Sequence, residues 1–206
     1  MPAAAPAARP HLRGARRGEI LDAALACFTA RGVDATTIAD IRERAGATTG
    51  SIYHFFAGKD ALLGALYVDA LRSYRAPLLA RLARARSGRS AVRGIVEHTL
   101  DWVGAHPDAA RFLFDARRSP AVTAVEADIR AGNRELFRGV RQHLDRLGVA
   151  AGRRMPPDLL VAILIGPVMS FAREHLAGHA LSDLGRARRT LADAAWAAVH
   201  QAKETP

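Results

Sequence analysis

Apolar residues recur at helical spacing along almost the whole chain. From Arg16 onward Ala, Leu and Arg are abundant, and no alternating run of β-branched and aromatic residues reaches strand length. Glycine, proline and serine residues divide the pattern into segments. We therefore predict an all-α fold with helices over residues 16–31, 37–45, 49–56, 59–86, 90–105, 107–117, 122–147, 157–178 and 183–203.

The lengths of these helices predict how the chain is organised. The first three are short and cannot bury much apolar area alone, so they should form one compact bundle. The long fourth helix should connect this bundle to a larger helical body, and Pro77 within it should produce a kink. We expect a flexible basic arm at residues 1–15, a three-helix domain at 16–58 and a larger helical domain at 59–206.

The strongest local signals lie in residues 37–56. Thr37 followed by Asp40 resembles a capping box with Asp in place of Glu, and an apolar stripe at helical spacing follows. Gly46 stands after the stripe, where a left-handed residue can end a helix, and Thr48 can cap the next one. A helix, a tight glycine turn and a second helix make a helix-turn-helix arrangement.

The polar residues of this segment and its flanks are candidate DNA contacts. Hydroxyl, imidazole and cationic groups bond phosphates or base edges, and glycine lets a backbone approach a groove wall. We predict that DNA is contacted by Arg16, Arg17, Thr37, Thr48, Thr49, Gly50, Tyr53, His54 and Lys59. The alternative is a plain three-helix packing unit with a polar face.

Residues 16–66 resemble the DNA-binding domain of the TetR/AcrR family of bacterial transcriptional regulators. The matching residues include Ile20 to Phe28, Gly32 to Ile41, Ala45-Gly46, Gly50 to Phe56 and Lys59 to Leu63. The resemblance implies a three-helix DNA-binding domain followed by a ligand-binding and dimerisation domain. It also implies a cytoplasmic, nucleoid-associated homodimer that binds a palindromic double-stranded operator and is released when a small-molecule effector occupies the C-terminal domain.

Three positions depart from the family pattern. Arg42 stands where members usually have a small residue at the crossing of the two helices, so either its side chain should extend outward or the crossing should be wider. Thr49 stands where Lys is frequent, and Phe55 stands where His is frequent. Both changes remove a possible phosphate contact.

The net charge favours a polyanionic partner. Thirty Lys and Arg residues face twenty Asp and Glu residues, which gives a net charge of +10 at pH 7. An arginine-rich genome is the alternative source of this excess. A run of arginines from Arg72 to Arg93 contains no acid, and we interpret it as a solvated helix face or as a surface for DNA or an anionic ligand.

The aromatic and methionine residues after residue 90 are typical of an ordinary core. The resemblance suggests that some of them line a ligand cavity between the central helices. We predict a pocket lined by Trp102, Arg111, Phe112, Phe137, Met169 and Arg173. Such a pocket would take a largely apolar ligand, with an acidic group if the arginines face inward.

The last two predicted helices, within residues 157–203, carry broad apolar faces with small alanines that permit close helix approach. By the resemblance, these helices pair with their copies in a four-helix interface, which predicts a homodimer through residues 157–203. Burial within one subunit is the alternative.

Several other classes of protein are disfavoured. The single cysteine, Cys27, cannot form an internal disulfide, and the longest uncharged apolar run is about 14 residues against roughly 20 for a membrane helix. We therefore expect a cytoplasmic protein without a membrane span or a secretory signal. His175 and His179 have helical metal-ligand spacing, but Gly178 lies between them, and we predict no metal.

No catalytic signature appears in the sequence. It contains no nucleophile elbow, phosphate loop or paired catalytic carboxylates, so we predict no catalytic residues, no cofactor and no enzymatic activity. A ligand-responsive repressor is the favoured function. The alternatives are an architectural DNA-binding protein and a small helical enzyme or carrier.

Overall fold

The computed structural model describes residues 10–149, 151 and 154–200, with side chains from Gly14 onward. Every regular element within those ranges is helical, which confirms the all-α prediction. The helices are α1 Pro10–Arg31, α2 Ile38–Arg44, α3 Thr49–Phe55, α4 Lys59–Ala83, α5 Gly88–Ala105, α6 Pro107–Asp115, a 3₁₀ turn at Ala116–Arg118, α7 Pro120–Ala124, α8 Glu126–Arg146, α9 Pro157–Leu176 and α10 Leu184–His200.

Two of the predicted helices differ clearly from the structure. Helix α1 begins at Pro10 rather than at Arg16, so the end of the expected arm is helical, while residues 1–9 lie outside the described residues. The predicted helix 122–147 is two helices, because Ser119 caps an earlier start and Val125 leaves helical geometry between α7 and α8. Helix α4 continues through Pro77 without ending.

Helices α1, α2 and α3 each contribute buried side chains to a shared core. Ile20 of α1, Ile41 of α2 and Ile52 of α3 are fully buried. The buried Thr36 closes the turn between α1 and α2, because its hydroxyl lies 2.8 Å from the carbonyl oxygen of Gly32 and 3.2 Å from that of Cys27. These contacts fix α2 and α3 on α1 and leave the outer side of α3 free.

Helix α4 is the spine of the larger part. It packs against α5, α7 and α8, and α5 in turn packs against α9 and α10. Fully buried aliphatic side chains from four helices fill the interior: Leu78, Leu82, Ile95, Leu100, Leu144, Leu160 and Leu164. The small N-terminal bundle and this body share one continuous apolar core.

Part of the arginine run from Arg72 to Arg93 forms ion pairs between helices. Arg81 of α4 pairs with Glu97 of α5, and its Nη1 lies 3.6 Å from the carboxylate of Asp101. Arg93 and Arg89 pair with Glu97 and Asp193 at 2.7 and 3.5 Å. These arginines therefore join α4, α5 and α10, as expected for a solvated helix face. Arg72 and Arg75, earlier in the run, point elsewhere.

Candidate nucleic-acid interface and ligand groove

The N-terminus of α2 is held by a reciprocal cap. The hydroxyl of Thr37 accepts a bond from the backbone N–H of Asp40 at 3.2 Å, and the carboxylate of Asp40 accepts one from the backbone N–H of Thr37 at 2.8 Å. The Thr37 hydroxyl also donates to this carboxylate at 2.7 Å, and Arg31 lies 2.7 Å from it. The bonds from Thr37, and secondarily the charge of Arg31, lower the pKa of Asp40. Thr37 thus defines where α2 begins.

The turn between α2 and α3 depends on a glycine. Gly46 has a φ of +52°, in the region that L-residues with side chains rarely adopt. The N–H of Ala47 returns to the carbonyl of Arg42 at 3.0 Å, and Thr48 accepts a bond from the N–H of Ser51 at 3.1 Å to start α3. The helix-turn-helix predicted from the sequence is therefore present.

One side of α3 is free of the rest of the protein. Ile52 is fully buried, and Phe56 at the end of the helix is 4% exposed. On the other side, Tyr53 is 53% exposed, and nothing lies within 4 Å of where a side chain at Gly50 would begin. Thr49 and His54 are exposed beside them. Four of the predicted DNA contacts thus form one solvent-facing surface.

Arg16 holds the turn and does not extend into solvent. One guanidinium nitrogen, Nη2, donates to the carbonyl of Gly46 at 2.7 Å, and the other, Nη1, donates to that of Ala45 at 3.2 Å. Nη1 also pairs with Glu19 at 2.6 Å. These carbonyls follow the C-terminus of α2, where a cation is favoured. This guanidinium therefore fixes α2 against α1, and a contact of Arg16 with DNA stays a prediction.

Lys59 also contacts carbonyl oxygens within the protein. Its ammonium lies 2.9 Å from the carbonyl oxygen of Val33, 3.3 Å from that of Asp34 and 2.9 Å from that of Thr36. An ammonium has three N–H donors, and each of them has an intramolecular acceptor here. Lys59 therefore ties the start of α4 to the loop before α2, and its contact with DNA stays a prediction.

Arg17 points away from the free side of α3. Its guanidinium lies 5.5 Å from the ring centroid of Phe56 and 4.0 Å from the carboxylate of Asp69 on α4. Arg42 and Arg44, in the last turn of α2, are exposed cations close to α3 that were not predicted to contact DNA. Arg42 extends outward, as expected. The signal that could have found them is the basic pair immediately before the glycine turn.

The six predicted pocket residues lie either in the core or on the surface. Trp102 is 5% exposed and donates from its indole nitrogen to the hydroxyl of Ser73 at 3.3 Å. Phe112 is buried against α1. Arg111 is exposed and donates weakly to Asp108 and to the carbonyl of Leu176.

The other three predicted pocket residues are Arg173, Phe137 and Met169. Arg173 is exposed and lies over the ring of Phe114, with 4.8 Å between the guanidinium carbon and the ring centroid. Phe137 and Met169 are half-buried against the core. Core packing and surface contacts involve these residues, and none of the six lines the groove described next, so a pocket formed by them stays a prediction.

A groove of about 930 Å³ lies between α4 and α8. Gly64 faces Val125, Arg75 faces Gly132 and Leu79 faces Gly139, so the two helices run parallel. Small and aliphatic residues form much of the wall: Ala61, Ala65, Val68, Ala76, Leu79, Ala124, Val125, Ala131, Gly132 and Leu136. Its charged residues are Arg17, Asp69, Arg72, Arg75, Asp128 and Glu135.

No metal centre is apparent in the part of the chain that the structure describes, where no group of three His, Cys, Asp or Glu residues could hold an ion. His179 lies 3.5 Å from the carboxylate of Glu174, and His175 stacks on Phe171. Cys27 is buried on the inner side of α1.

The architecture is that of an all-α protein with an N-terminal helix-turn-helix and a larger helical body. A family model for bacterial regulatory proteins of the tetR family matches residues 20–66. The match thus places the helix-turn-helix part of the chain, residues 20–66, in the TetR family.

Among relatives, the HTH-type transcriptional regulator BetI of Burkholderia ambifaria is 35% identical over 91 residues, which are 44% of this chain and 47% of BetI. The HTH-type transcriptional repressor KstR2 of Mycobacterium tuberculosis is 49% identical over 51 residues, or 25% of this chain and 26% of KstR2. The match thus spans about half the length of BetI and a quarter of KstR2.

Solved structures match over nearly the whole chain. A TetR-family regulator from Marinobacter aquaeolei superposes with a TM-score of 0.75 at 20% identity, over 93% of this chain and 98% of that one. The regulator FadR from Bacillus subtilis, in complex with stearoyl-CoA, superposes with a TM-score of 0.71 at 14% identity, over 85% of this chain and 95% of that one. At these identities the likeness shows the fold.

Proposed function

We propose that the protein is a sequence-specific DNA-binding repressor that leaves a palindromic operator when a small ligand binds its helical body. The observation that carries this proposal is the free polar surface of α3, formed by Thr49, Gly50, Tyr53 and His54. A short helix after a glycine turn, with one buried and one exposed side, fits the major groove of DNA.

The roles of the flanking cations follow from their contacts. Arg42 and Arg44 are exposed beside the turn, and in our proposal they bind phosphates on either side of the groove. Thr48 adds a hydroxyl at the start of α3. Arg16 and Lys59 act indirectly, because they hold the turn and the preceding loop at fixed positions on α1 and α4.

A homodimer through α9 and α10 would present two copies of α3. By length and composition α9 could cross a membrane. Within the protein, 28% of its most apolar window is buried, so most of this apolar surface is uncovered. The uncovered surface includes Leu159, Ala162 and Gly166 of α9, and Ala194 and Ala198 of α10. Small residues on two adjacent helices suit a four-helix interface between copies, and we favour this cytoplasmic arrangement. Two α3 helices roughly 35 Å apart would match successive turns of DNA.

Ligand control rests on the groove between α4 and α8 and on a fold shared with regulators of lipid metabolism. FadR of Bacillus subtilis was solved with stearoyl-CoA, and a similar fold is that of the fatty acid degradation regulator FadR of Bacillus halodurans. A ligand that favours a different spacing of the two α3 helices would weaken operator binding. A coupling of about 1–3 kcal/mol corresponds to a change of roughly 5- to 150-fold in affinity.

The experiment is fluorescence anisotropy on the DNA fragment that the purified protein selects from a random pool. Tyr53→Ala should weaken binding by about 1–3 kcal/mol without changing thermal stability, because the side chain is exposed. Arg118→Ala, an exposed change on the body, is the control and should bind as the wild type does. Equal affinity of Tyr53→Ala and wild type would contradict the assignment of α3.

A further inference from the structure

The groove between α4 and α8 has the dimensions of a ligand site. Its volume of about 930 Å³ lies near the upper end of the usual range for small-molecule sites. The α4 wall extends from Ala61 to Leu79, which is about 27 Å at 1.5 Å per residue. A long, narrow space suits an extended molecule better than a compact one.

Arg75 is the unusual charge in this groove. Its guanidinium is half-buried, and its hydrogen-bond partners are neutral: the side-chain oxygen of Asn133 at 2.6 Å and the carbonyl of Ile129 at 3.4 Å. None of the described carboxylates lies within 4.0 Å of it. Burial, as the largest cause, lowers the pKa of Arg75. A partly desolvated cation without a close counter-ion favours an anionic partner.

Gly132 makes the position of this guanidinium possible. A Cβ at residue 132 would lie 2.2 Å from Nη1 of Arg75 and 3.1 Å from its Cζ. The absence of a side chain on α8 therefore allows Arg75 to lie across the helix within the groove. Arg72, one turn earlier on the same face of α4, is exposed, and it makes no ion pair with the part of the chain that is described. Arg72 and Arg75 thus both line the groove as cations.

The other wall residues fit an aliphatic chain. Toward the helix-turn-helix the groove is lined by Ala61, Ala65, Val68 and Val125. Asp128 and Glu135 of α8 are exposed at its sides, and the negative charge of Glu135 is felt by Arg75. These acids disfavour a multiply charged ligand, because each added negative charge would be repelled by them.

We propose that this groove binds an extended amphiphile with an aliphatic chain and a single anionic head group. The head group lies on Arg72 and Arg75, and the chain runs along α4 toward α1. As the effector site, this proposal rests on the proposed function, but binding to the groove does not require DNA.

Arg17 connects the groove to the recognition helix. It lines the groove, lies 4.0 Å from Asp69 on α4, and lies over the ring of Phe56, which ends α3. A chain that reaches this end of the groove contacts or displaces Arg17. The position of Arg17 on Phe56 would then change, and the contact that holds the C-terminal end of α3 would change with it.

The test is isothermal titration calorimetry of the full-length protein with three probes that share a twelve-carbon chain, each kept below its micelle concentration. Laurate is anionic, dodecanol is neutral and dodecyltrimethylammonium is cationic. We expect laurate to bind at least about tenfold more tightly than the other two, because a charge-assisted bond contributes at least that factor. Absence of laurate binding, or equal binding of the cationic probe, would overturn the proposal.

Variants of the groove locate the site. Arg75→Gln should weaken laurate at least about tenfold, and Glu135→Gln should tighten it because a repelling charge is removed. Ala131→Phe fills the groove and should abolish binding. Ala127→Phe, on an exposed position of α8 outside the groove, is its matched control and should bind normally.

Unchanged laurate affinity in Arg75→Gln and Ala131→Phe would reject the groove while leaving DNA binding and ligand control intact. Glu135→Gln provides an independent reading if Ala131→Phe does not fold, and a weaker laurate affinity in that variant would also contradict the proposal. Failure of the proposed function would instead appear as loss of sequence-specific DNA binding in the wild type, whatever laurate does.

Discussion

Phe28 of α1 and Phe112 of α6 stack with nearly parallel rings, with ring centroids 5.9 Å apart and ring planes inclined by 8°. Tyr67 of α4 packs on the same Phe112 ring at 6.2 Å. The DNA-binding part and the helical body therefore meet through aromatic side chains as well as through the continuous helix α4. Helices α1 and α6 are thus in direct contact.

The first prediction concerns this stack. In a double-mutant cycle, Phe28→Leu and Phe112→Leu should show a coupling energy of about 0.5–1.5 kcal/mol, because each change removes the same ring pair. The measurement is urea unfolding of the four proteins. Phe28→Leu combined with Phe137→Leu, which is outside the stack, should be additive. Additivity of the stacked pair as well would show that the two parts are not coupled here.

The second prediction separates a structural cation from a DNA-binding one. Lys59→Met should lower the free energy of unfolding by about 1–3 kcal/mol, because three carbonyls lose their donor. It should leave the salt dependence of DNA binding unchanged. Arg44→Met should do the reverse, reducing the slope of log affinity against log salt concentration by about one while stability is retained. A reduced slope in Lys59→Met would instead support its assignment as a phosphate contact.

The third prediction concerns pH. His98 is half-buried, and burial lowers its pKa, although the bond of its Nε2 to the carbonyl of Tyr74 at 2.8 Å acts in the opposite direction. The unfolded chain, with an ordinary histidine pKa of about 6.5, then binds the proton more readily than the folded chain does. Stability should fall as the pH decreases through this value.

Urea unfolding at pH 7.5 and pH 5.5 tests this sign. The wild type should lose more stability between the two pH values than His98→Gln does, since the variant has no titrating group at this position. An equal loss in both proteins would place the acid sensitivity at other residues.

The fourth prediction concerns the uncovered face of α9. Ala162→Arg should convert a dimer into a monomer in sedimentation equilibrium at micromolar concentration, because a charge would be buried between two copies. Ala127→Arg places the same side chain on an exposed position of α8 and should leave the dimer intact. A wild type that sediments as a monomer would contradict the proposed interface.

The local features of the helix-turn-helix could be predicted from the sequence because they depend on neighbouring residues. The cap at Thr37 and Asp40, the left-handed Gly46 and the cap at Thr48 are all present. Each is a bond or a backbone angle within a few positions of the residue that produces it. The helices were predictable for the same reason, except at the start of α1 and where Val125 separates α7 from α8.

The roles of the long cationic side chains could not be predicted in this way. Lys59 bonds carbonyls that precede it by more than twenty residues, and Arg75 of α4 donates to Asn133 of the neighbouring helix α8. A sequence shows that these residues are basic but not which acceptors the fold brings to them. The groove was missed because its alanines and Gly132 look like ordinary helix-packing residues until α4 and α8 are seen side by side.

The most direct test of the proposed function is selection of DNA from a random pool by the purified protein, followed by sequencing. We expect enrichment of an inverted repeat whose two halves are centred about one turn of DNA apart, or a multiple of this, since α3 would be presented twice by a symmetric dimer. We also expect that Tyr53→Ala does not enrich this sequence. Enrichment of no sequence above the starting pool would contradict the claim that this protein is a sequence-specific regulator.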